Sequence, residues 1–317
     1  MMLTPATKPT LWFVGVTTAQ SSIMRVFPEW ARFLGLGDVA IRGIDMVPHA
    51  SADQYRAVVA FLKSDPLTRG ALVTTHKLDL FDAARDMFDE IDTHASLMEE
   101  TSCLSRRSGR LVCHAKDPIS SGLALDGFLP PGHFQRTGAE VFSMGAGGST
   151  IALTWHLAQA ARGADRPSRI IVSNRSKPRL DHLRAIHDRL GHGIALECVH
   201  SPRPEDNDAV MSTLRPGALV INATGLGKDA PGSPLTEAAR FPQNGIAWDL
   251  NYRGNLVFLD QARAQADRLA QIEDGWAYFI HGWTQVIAEV FDIAIPTSGA
   301  RFDDIAAIAA RASVRSA

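Results

Sequence analysis

The stretch Val141-Phe142-Ser143-Met144-Gly145-Ala146-Gly147-Gly148-Ser149-Thr150-Ile151-Ala152 constrains this chain more than any other. An apolar run with strand character stops at a glycine-rich turn. The turn opens into residues 149–162, where Ile151, Ala152, Trp155, Leu157 and Ala158 suit a helix packed on a sheet. Strand, glycine turn and helix N-terminus together make a device for a pyrophosphate. Glycine permits the tight turn and close backbone approach, and the free helix N–H groups face the phosphates with the positive end of the dipole. Thr150 stands where G-x-G-x-x-G has its third glycine, so the turn alone is equally compatible with an ordinary glycine-rich connection.

The next segment strengthens the nucleotide reading. Arg169–Asn174 has the character of the following parallel strand, at whose end an NAD site usually carries an acid for the ribose 2′-hydroxyl. This chain has Asn174-Arg175-Ser176-Lys177 there, with Arg179 just beyond. Cations and a hydroxyl, with no carboxylate among them, suit a 2′-phosphate and predict NADP rather than NAD. A solvated loop with surface cations is the competing explanation.

Composition bounds the rest. The chain has 317 residues and a formal net charge of −2, with no long basic run, which argues against a nucleic-acid partner. No apolar stretch reaches the roughly 18 residues that span a bilayer. The opening Met1-Met2-Leu3-Thr4-Pro5 lacks the charged and apolar regions of a secretion signal, so a cytoplasmic protein is expected. Cys103, Cys113 and Cys198 are too few and too scattered for a disulfide framework or a zinc site, and no metal cluster is offered.

Along the chain, strands at 11–16, 39–47 and 70–74 alternate with helices ending near Leu34, Lys63 and Phe88, which predicts a small, mostly parallel sheet. A turn at Arg106-Arg107-Ser108-Gly109 suggests a hairpin between Leu104 and residues 111–114. A helix follows from Asp117 to Phe128. Beyond the glycine-turn unit, strands are expected at 194–199, 218–222 and 246–250, and helices at 204–214, 261–270, 276–291 and 303–312. The fold class is therefore α/β, in about two domains.

Parallel α/β sheets bind ligands at the carboxyl ends of their strands. That rule selects Ser21 and Ser22 after the first strand and Thr74 to Lys77 after the third. In the second half it selects Asn222-Ala223-Thr224-Gly225 and Asp249-Leu250-Asn251-Tyr252. Lys77 can bind a substrate hydroxyl and move its proton, or it can be a surface lysine in a helix's first turn. Asp117 before Pro118 is a good helix start, and a carboxylate paired with Lys77 could also share the proton of a substrate alcohol. His76 and His281 stand out among eleven histidines only by position.

With these residues in view, the chain resembles the shikimate dehydrogenase family over nearly its whole length. Gly145-Ala146-Gly147-Gly148 with Ala152 resembles the family's G-A-G-G-x-x-x-A loop, and Asn174-Arg175-Ser176 its N-R-[TS] motif for the adenosine 2′-phosphate. Asn222-Ala223-Thr224-Gly225-Leu226-Gly227 is similar to N-A-T-x-x-G beside the nicotinamide. Asp249 to Tyr252 is similar to D-x-x-Y, and Asp274-Gly275 to the D-G before the last substrate helix. Leu72-Val73-Thr74-Thr75-His76-Lys77 resembles V-T-I-P-x-K with a shortened middle. The resemblance implies an N-terminal substrate-binding domain (residues 1–124) that is rejoined by C-terminal helices (276–317), a Rossmann-type NADP-binding domain at 125–275, and Lys77 and Asp117 as the catalytic pair. It also implies reversible hydride transfer between NADP and a ring ketone or alcohol of a small cyclic hydroxy carboxylate, such as 3-dehydroshikimate and shikimate. Cofactor contacts would fall to Gly145, Ala146, Gly147, Gly148, Asn174, Arg175, Ser176, Thr224, Gly225 and Gly275. The substrate would meet Ser21, Ser22, Thr74, Ser102, Tyr252 and His281, between the two domains. A monomer or homodimer is expected.

The departures concentrate on the substrate side. The S-x-S pair becomes Ser21-Ser22-Ile23, the asparagine of N-T-L becomes Ser102, and N-T before the aspartate becomes Ala115-Lys116. Pro118 replaces the following glycine, and the glutamine of the last substrate helix falls on Gly282, with His281 as the nearest polar stand-in. Each lost buried partner for a ring hydroxyl weakens recognition by about 1–3 kcal/mol. The pattern suggests a paralogue with a changed substrate. Lys116 and His281 add polar groups that an amino or differently hydroxylated ring could use. A non-catalytic sensor of a dinucleotide or metabolite is the alternative, although a pure binder has no need of a proton-transfer pair.

Overall fold

Leu11, Trp12, Phe13 and Val14 are buried along both faces of β1 (Thr10–Gly15), as the middle of a parallel sheet requires. In the computed structural model, which describes residues 3–191, 193–228 and 230–314, β1 lies between β2 (Ala40–Asp45) and β3 (Thr68–Val73), parallel to both. Helices α1 (Ile23–Leu34) and α2 (Ala52–Ser64) make the crossovers. Gly35 closes α1 at φ +70°, and Ser51 with Gln54 forms a capping box on α2. After α3 (Lys77–Ala84) come a two-residue strand β4 (Glu90–Ile91) and the short helix α4 (Thr93–Met98). The hairpin of β5 (Cys103–Arg107) and β6 (Arg110–His114) joins β3 antiparallel, giving the order β2-β1-β3-β5-β6-β4. Cys103 and Cys113 lie buried and unbridged on this hairpin, and burial pushes the Cys113 thiol up to about 12.

The chain divides into two units, Met1–Lys116 with Ile280–Ala317, and Asp117–Phe279. The second begins with α5 (Asp117–Phe128) and α6 (His133–Thr137) and is then built on six parallel strands. These are β7 (Val141–Met144), β8 (Arg169–Asn174), β9 (Ala195–His200), β10 (Leu219–Asn222), β11 (Gly245–Asp249) and β12 (Leu269–Glu273). Their helices are α7 (Gly148–Ala158), α8 (Lys177–Leu190), α9 (Pro204–Met211) and α10 (Val257–Arg263). The order β12-β11-β10-β7-β8-β9 reverses direction between β7 and β10, the place where doubly wound sheets open a ligand crevice. Phe142, Val220, Ala247, Phe241 and Phe258 form part of the core beside it. Helix α11 (Trp276–Phe291) carries the chain from the second unit back to the first, where α12 (Ala300–Val314) accepts a hydrogen bond at Ile305 O from the Trp30 indole, 2.9 Å.

Several sequence expectations need correction. The helix expected over 261–270 is instead α10, ending at Arg263, and the strand β12, which pairs parallel with β11. An alanine-rich segment with a short apolar run does not distinguish helix from strand by periodicity. The helix expected to reach Phe88 stops at Ala84 and tightens into a 3-10 turn, Arg85–Met87. The helix after the glycine turn ends at Ala158, with a 3-10 turn at Ala160–Arg162. β4 and α4 were too short to leave a periodic signal.

Candidate functional site

In the second unit the candidate residues gather at the carboxyl ends of β7, β8, β10 and β11. Gly145 takes φ +109°, and its N–H donates to Ser173 O at 2.8 Å. A Cβ on Gly145 would lie 2.7 Å from Ala223 O, so the β7 and β10 loops approach at backbone distance and only glycine fits. A Cβ on Gly147 would meet nothing within 4 Å, which leaves open space over the first turn of α7. Thr150 explains the missing third glycine. Its hydroxyl donates to Gly145 O at 2.6 Å and sits 3.1 Å from Ser143 Oγ, closing the turn from inside.

At the end of β8, Asn174 Oδ1 accepts from Ser176 N at 3.1 Å, a turn that starts α8 and leaves the Arg175 side chain exposed. Across the switch point, Asn222 Oδ1 accepts from Thr224 N at 3.1 Å and from Thr224 Oγ1 at 2.6 Å. The Asn222 amide in turn donates to Asp249 Oδ2 at 3.1 Å. Asp249 is fully buried, and that burial pushes its pKa up to about 6. Gly275 packs backbone to backbone: a Cβ there would be 2.1 Å from Leu250 O. Tyr252 lies in an aromatic cluster, 4.5 Å from Phe279 and 5.5 Å from Trp276 between ring centres.

Asp117, at the start of α5, is buried and belongs to this unit. The Tyr278 hydroxyl donates to its Oδ2 at 3.0 Å, and Ser149 Oγ lies 3.4 Å from the same oxygen. Sequence reasoning did not single out Tyr278 or Ser149. The available signals were a tyrosine inside the apolar run Trp276–Ile280 and a hydroxyl in the glycine turn.

The first unit holds the other candidates. Lys77 is the first residue of α3, with its N–H donating to Thr74 O at 3.3 Å and its carbonyl accepting from Thr101 N at 3.2 Å. His76 before it is buried. Its Nδ1 is 3.0 Å from the Tyr55 hydroxyl, and burial lowers its pKa, keeping the ring neutral. Thr74 Oγ1 donates to Val14 O at 3.3 Å. Ser21 and Ser22 are buried after a 3-10 turn, Thr18–Gln20, that Asp45 holds through the Thr18 N–H and hydroxyl. Ser102 Oγ accepts from Lys116 N at 2.7 Å and ties the strand end after β6 to the start of β5.

Lys116 and His281 turn to partners inside their unit. Lys116 Nζ pairs with Glu289 at 2.6 Å, with both side chains largely buried, and Arg107 also bonds Glu289. His281 stacks on Phe302, 4.6 Å between centres and 11° between planes, and burial lowers its pKa to about 4. A groove of about 450 Å³ bordered by Pro9, Arg69, Arg107 and Asp292 opens at the start of β1 and β3, at the opposite end of the sheet from Thr74 and Lys77.

Among the described residues no group of three or more His, Cys, Asp or Glu is arranged to hold a metal. No protein-family model matches the chain. It is 28% identical over 179 residues to the shikimate dehydrogenase (NADP(+)) of Streptococcus gordonii, a match spanning 56% of this chain and 58% of that protein. It is 26% identical over 305 residues to the shikimate dehydrogenase (NADP(+)) of Sphingopyxis alaskensis, covering 96% of this chain and 98% of the relative. Among solved structures, the shikimate 5-dehydrogenase of Thermus thermophilus, in complex with NADP(H) and shikimate, superposes with a TM-score of 0.68 at 22% identity, covering 96% of this chain and 99% of that one. In sequence the chain is similar to shikimate dehydrogenases over nearly its whole length, and its fold is that of the solved shikimate 5-dehydrogenase.

Proposed function

We propose that this protein is an NADP-dependent dehydrogenase that interconverts a ring alcohol and ketone on a small cyclic hydroxy carboxylate, shikimate or a related acid. The observation that carries this reading is the glycine turn at the β7–β10 switch point, combined with a cationic end of β8 that has no acid for a ribose hydroxyl. The residues fit the dinucleotide. Gly145, Ala146, Gly147 and Gly148 would bring backbone N–H groups and the α7 N-terminus to its diphosphate. Asn174, Arg175 and Ser176 would hold the 2′-phosphate, with Arg175 offering the forked donor that such an anion favours. Thr224, Gly225 and Gly275 would border the nicotinamide end. When bound, the cofactor takes or gives the hydride.

The protein's own part is the proton. In the oxidising direction the Lys77 amine accepts the proton of the substrate hydroxyl as its C–H bond gives up the hydride, and in reduction the Lys77 ammonium returns it. Asp117 orients that exchange and balances the ammonium charge. Ser21, Ser22, Thr74, Ser102 and His281 of the first unit and Tyr252 of the second form the substrate shell of this proposal, and the second unit takes the nucleotide. Because Lys116 pairs with Glu289, specificity rests on hydroxyl groups rather than on an added cation. No described helix is long and apolar enough to cross a membrane. We place the protein in the cytoplasm, as a monomer or homodimer.

The test is NADP⁺ reduction followed by absorbance with shikimate, quinate and related cyclic hydroxy acids, with NAD⁺ in parallel. Turnover of one of these acids with NADP⁺ is expected. Tight NADP⁺ binding with no turnover of any of them would overturn the enzyme reading and leave a binding protein. A preference for NAD⁺ would overturn the role given to Arg175.

A further inference from the structure

Asp117, Ser149 and Tyr278 come from three separate elements of the second unit, α5, α7 and α11, and meet in one cluster. The Tyr278 and Ser149 oxygens are 3.0 Å apart, and each also reaches Asp117 Oδ2, at 3.0 and 3.4 Å respectively. A phenol has one proton, so Tyr278 cannot donate to both neighbours at once, and an ionised carboxylate only accepts. The consistent assignment has Tyr278 donating to Asp117, while Ser149 donates to the phenol oxygen or to the carboxylate. Each member is held from behind. The Tyr278 ring meets Trp248 edge-on at 6.3 Å, and Trp248 is fixed by Phe128 at 5.1 Å and by a 3.2 Å bond from its Nε1 to Asp274 O. The carbonyl of Asp117 accepts from Ser121 Oγ at 2.7 Å. Ser149 sits on the first turn of α7, directly after the glycine loop.

We infer that Tyr278 and Ser149 are positioning residues for Asp117, fixing one carboxylate oxygen and joining it to the first turn of the phosphate-binding helix. This rests on the function proposed above, in which Asp117 balances the lysine that moves the proton. The phenol donor restricts the rotamer of the carboxylate, and Ser149 ties the pair to α7, which is what a group that orients proton transfer requires.

The experiment combines two readouts. The chain has three tyrosines, Tyr55, Tyr252 and Tyr278, so the phenolate absorbance titration of wild type minus that of Tyr278→Phe isolates Tyr278. Asp117→Asn removes the adjacent negative charge and should move that titration to lower pH. In turnover, Tyr278→Phe should lower kcat by roughly 10- to 100-fold, leave the KM for NADP⁺ within about twofold, and move the acid limb of the kcat profile to higher pH. Ser149→Ala should show the same pattern more weakly. A phenol titration indifferent to Asp117→Asn overturns the pairing, as does a Tyr278→Phe enzyme with wild-type kcat and pH profile. Wild type inert toward every acid would count against the proposed function alone, because the phenolate titration still decides the pairing.

Discussion

The strand ends of the two units are built in different ways. In the second, the features that fit a ligand are made by the backbone: the turn at Gly145, the close approach of Gly145 to Ala223, and the contact of Gly275 with Leu250. In the first, the polar residues at the strand ends are side chains, and several already bond within their own unit. Thr74 bonds Val14, Ser102 bonds Lys116, and Lys116 bonds Glu289. A site built from backbone tolerates few residues and keeps its motif as sequences diverge. A site built from side chains can be rewritten one residue at a time, and here the side-chain half is the one that departs from the family pattern.

Variants that separate chemistry from cofactor binding probe this contrast most directly. Lys77→Ala should lower kcat by about a thousandfold with the KM for NADP⁺ nearly unchanged, as expected for losing the group that moves the proton. Steady-state kinetics on both substrates checks it, and a matching rise in cofactor KM would break the division of labour between the units. Next in size is Glu289→Ala, which strands the largely buried Lys116 ammonium beside Arg107 and should cost about 3 kcal/mol of stability, read from urea unfolding. An unchanged midpoint would show that the rewritten residue before Asp117 has no structural anchor.

Arg175→Ala tests the other half. It should weaken NADP⁺ by about 30-fold, the loss of one charge-assisted contact of roughly 2 kcal/mol, and leave NAD⁺ within about twofold. Calorimetric titration with both dinucleotides decides it. Equal losses for the two would remove the 2′-phosphate from this position.

The smallest effect concerns pH. His281 is buried neutral, with its pKa lowered to about 4 against an ordinary 6.5. The unfolded chain therefore binds the extra proton first as pH falls. Stability from this group is complete above pH 6.5 and is lost progressively down to about 4. Between about pH 7 and 5 the loss should be about 1.5–2 kcal/mol. His281→Leu should flatten that part of the stability profile, and an unaltered slope would mean that the imidazole is solvated.

The same contrast explains what could be read from the sequence. The glycine turn and the alternation of strands and helices were legible because backbone geometry restricts which residues fit. β12 was not, because Leu269-Ala270-Gln271-Ile272 satisfies helix and strand periodicity equally over so short a span. Thr150 looked like a defect in the glycine motif until its hydroxyl was seen closing the turn. Sequence spacing does not reveal the ion pair of Lys116 with Glu289 or the stacking of His281 on Phe302. Tyr278 went unnoticed for the same reason. Its partner Asp117 is 161 positions away, and nothing local marks the pair.

The unbridged cysteines have a practical consequence. Cys103 and Cys113 are sealed in the hairpin with thiols held strongly in the protonated form, so neither offers the thiolate that oxidants and alkylating reagents need. Cys198 on β9 is the partly accessible one, and its thiol is also raised, so it would react slowly at neutral pH. The protein thus carries a single addressable thiol, in the unit assigned to the nucleotide. A maleimide dye coupled there under mildly alkaline conditions would mark one position without mutagenesis.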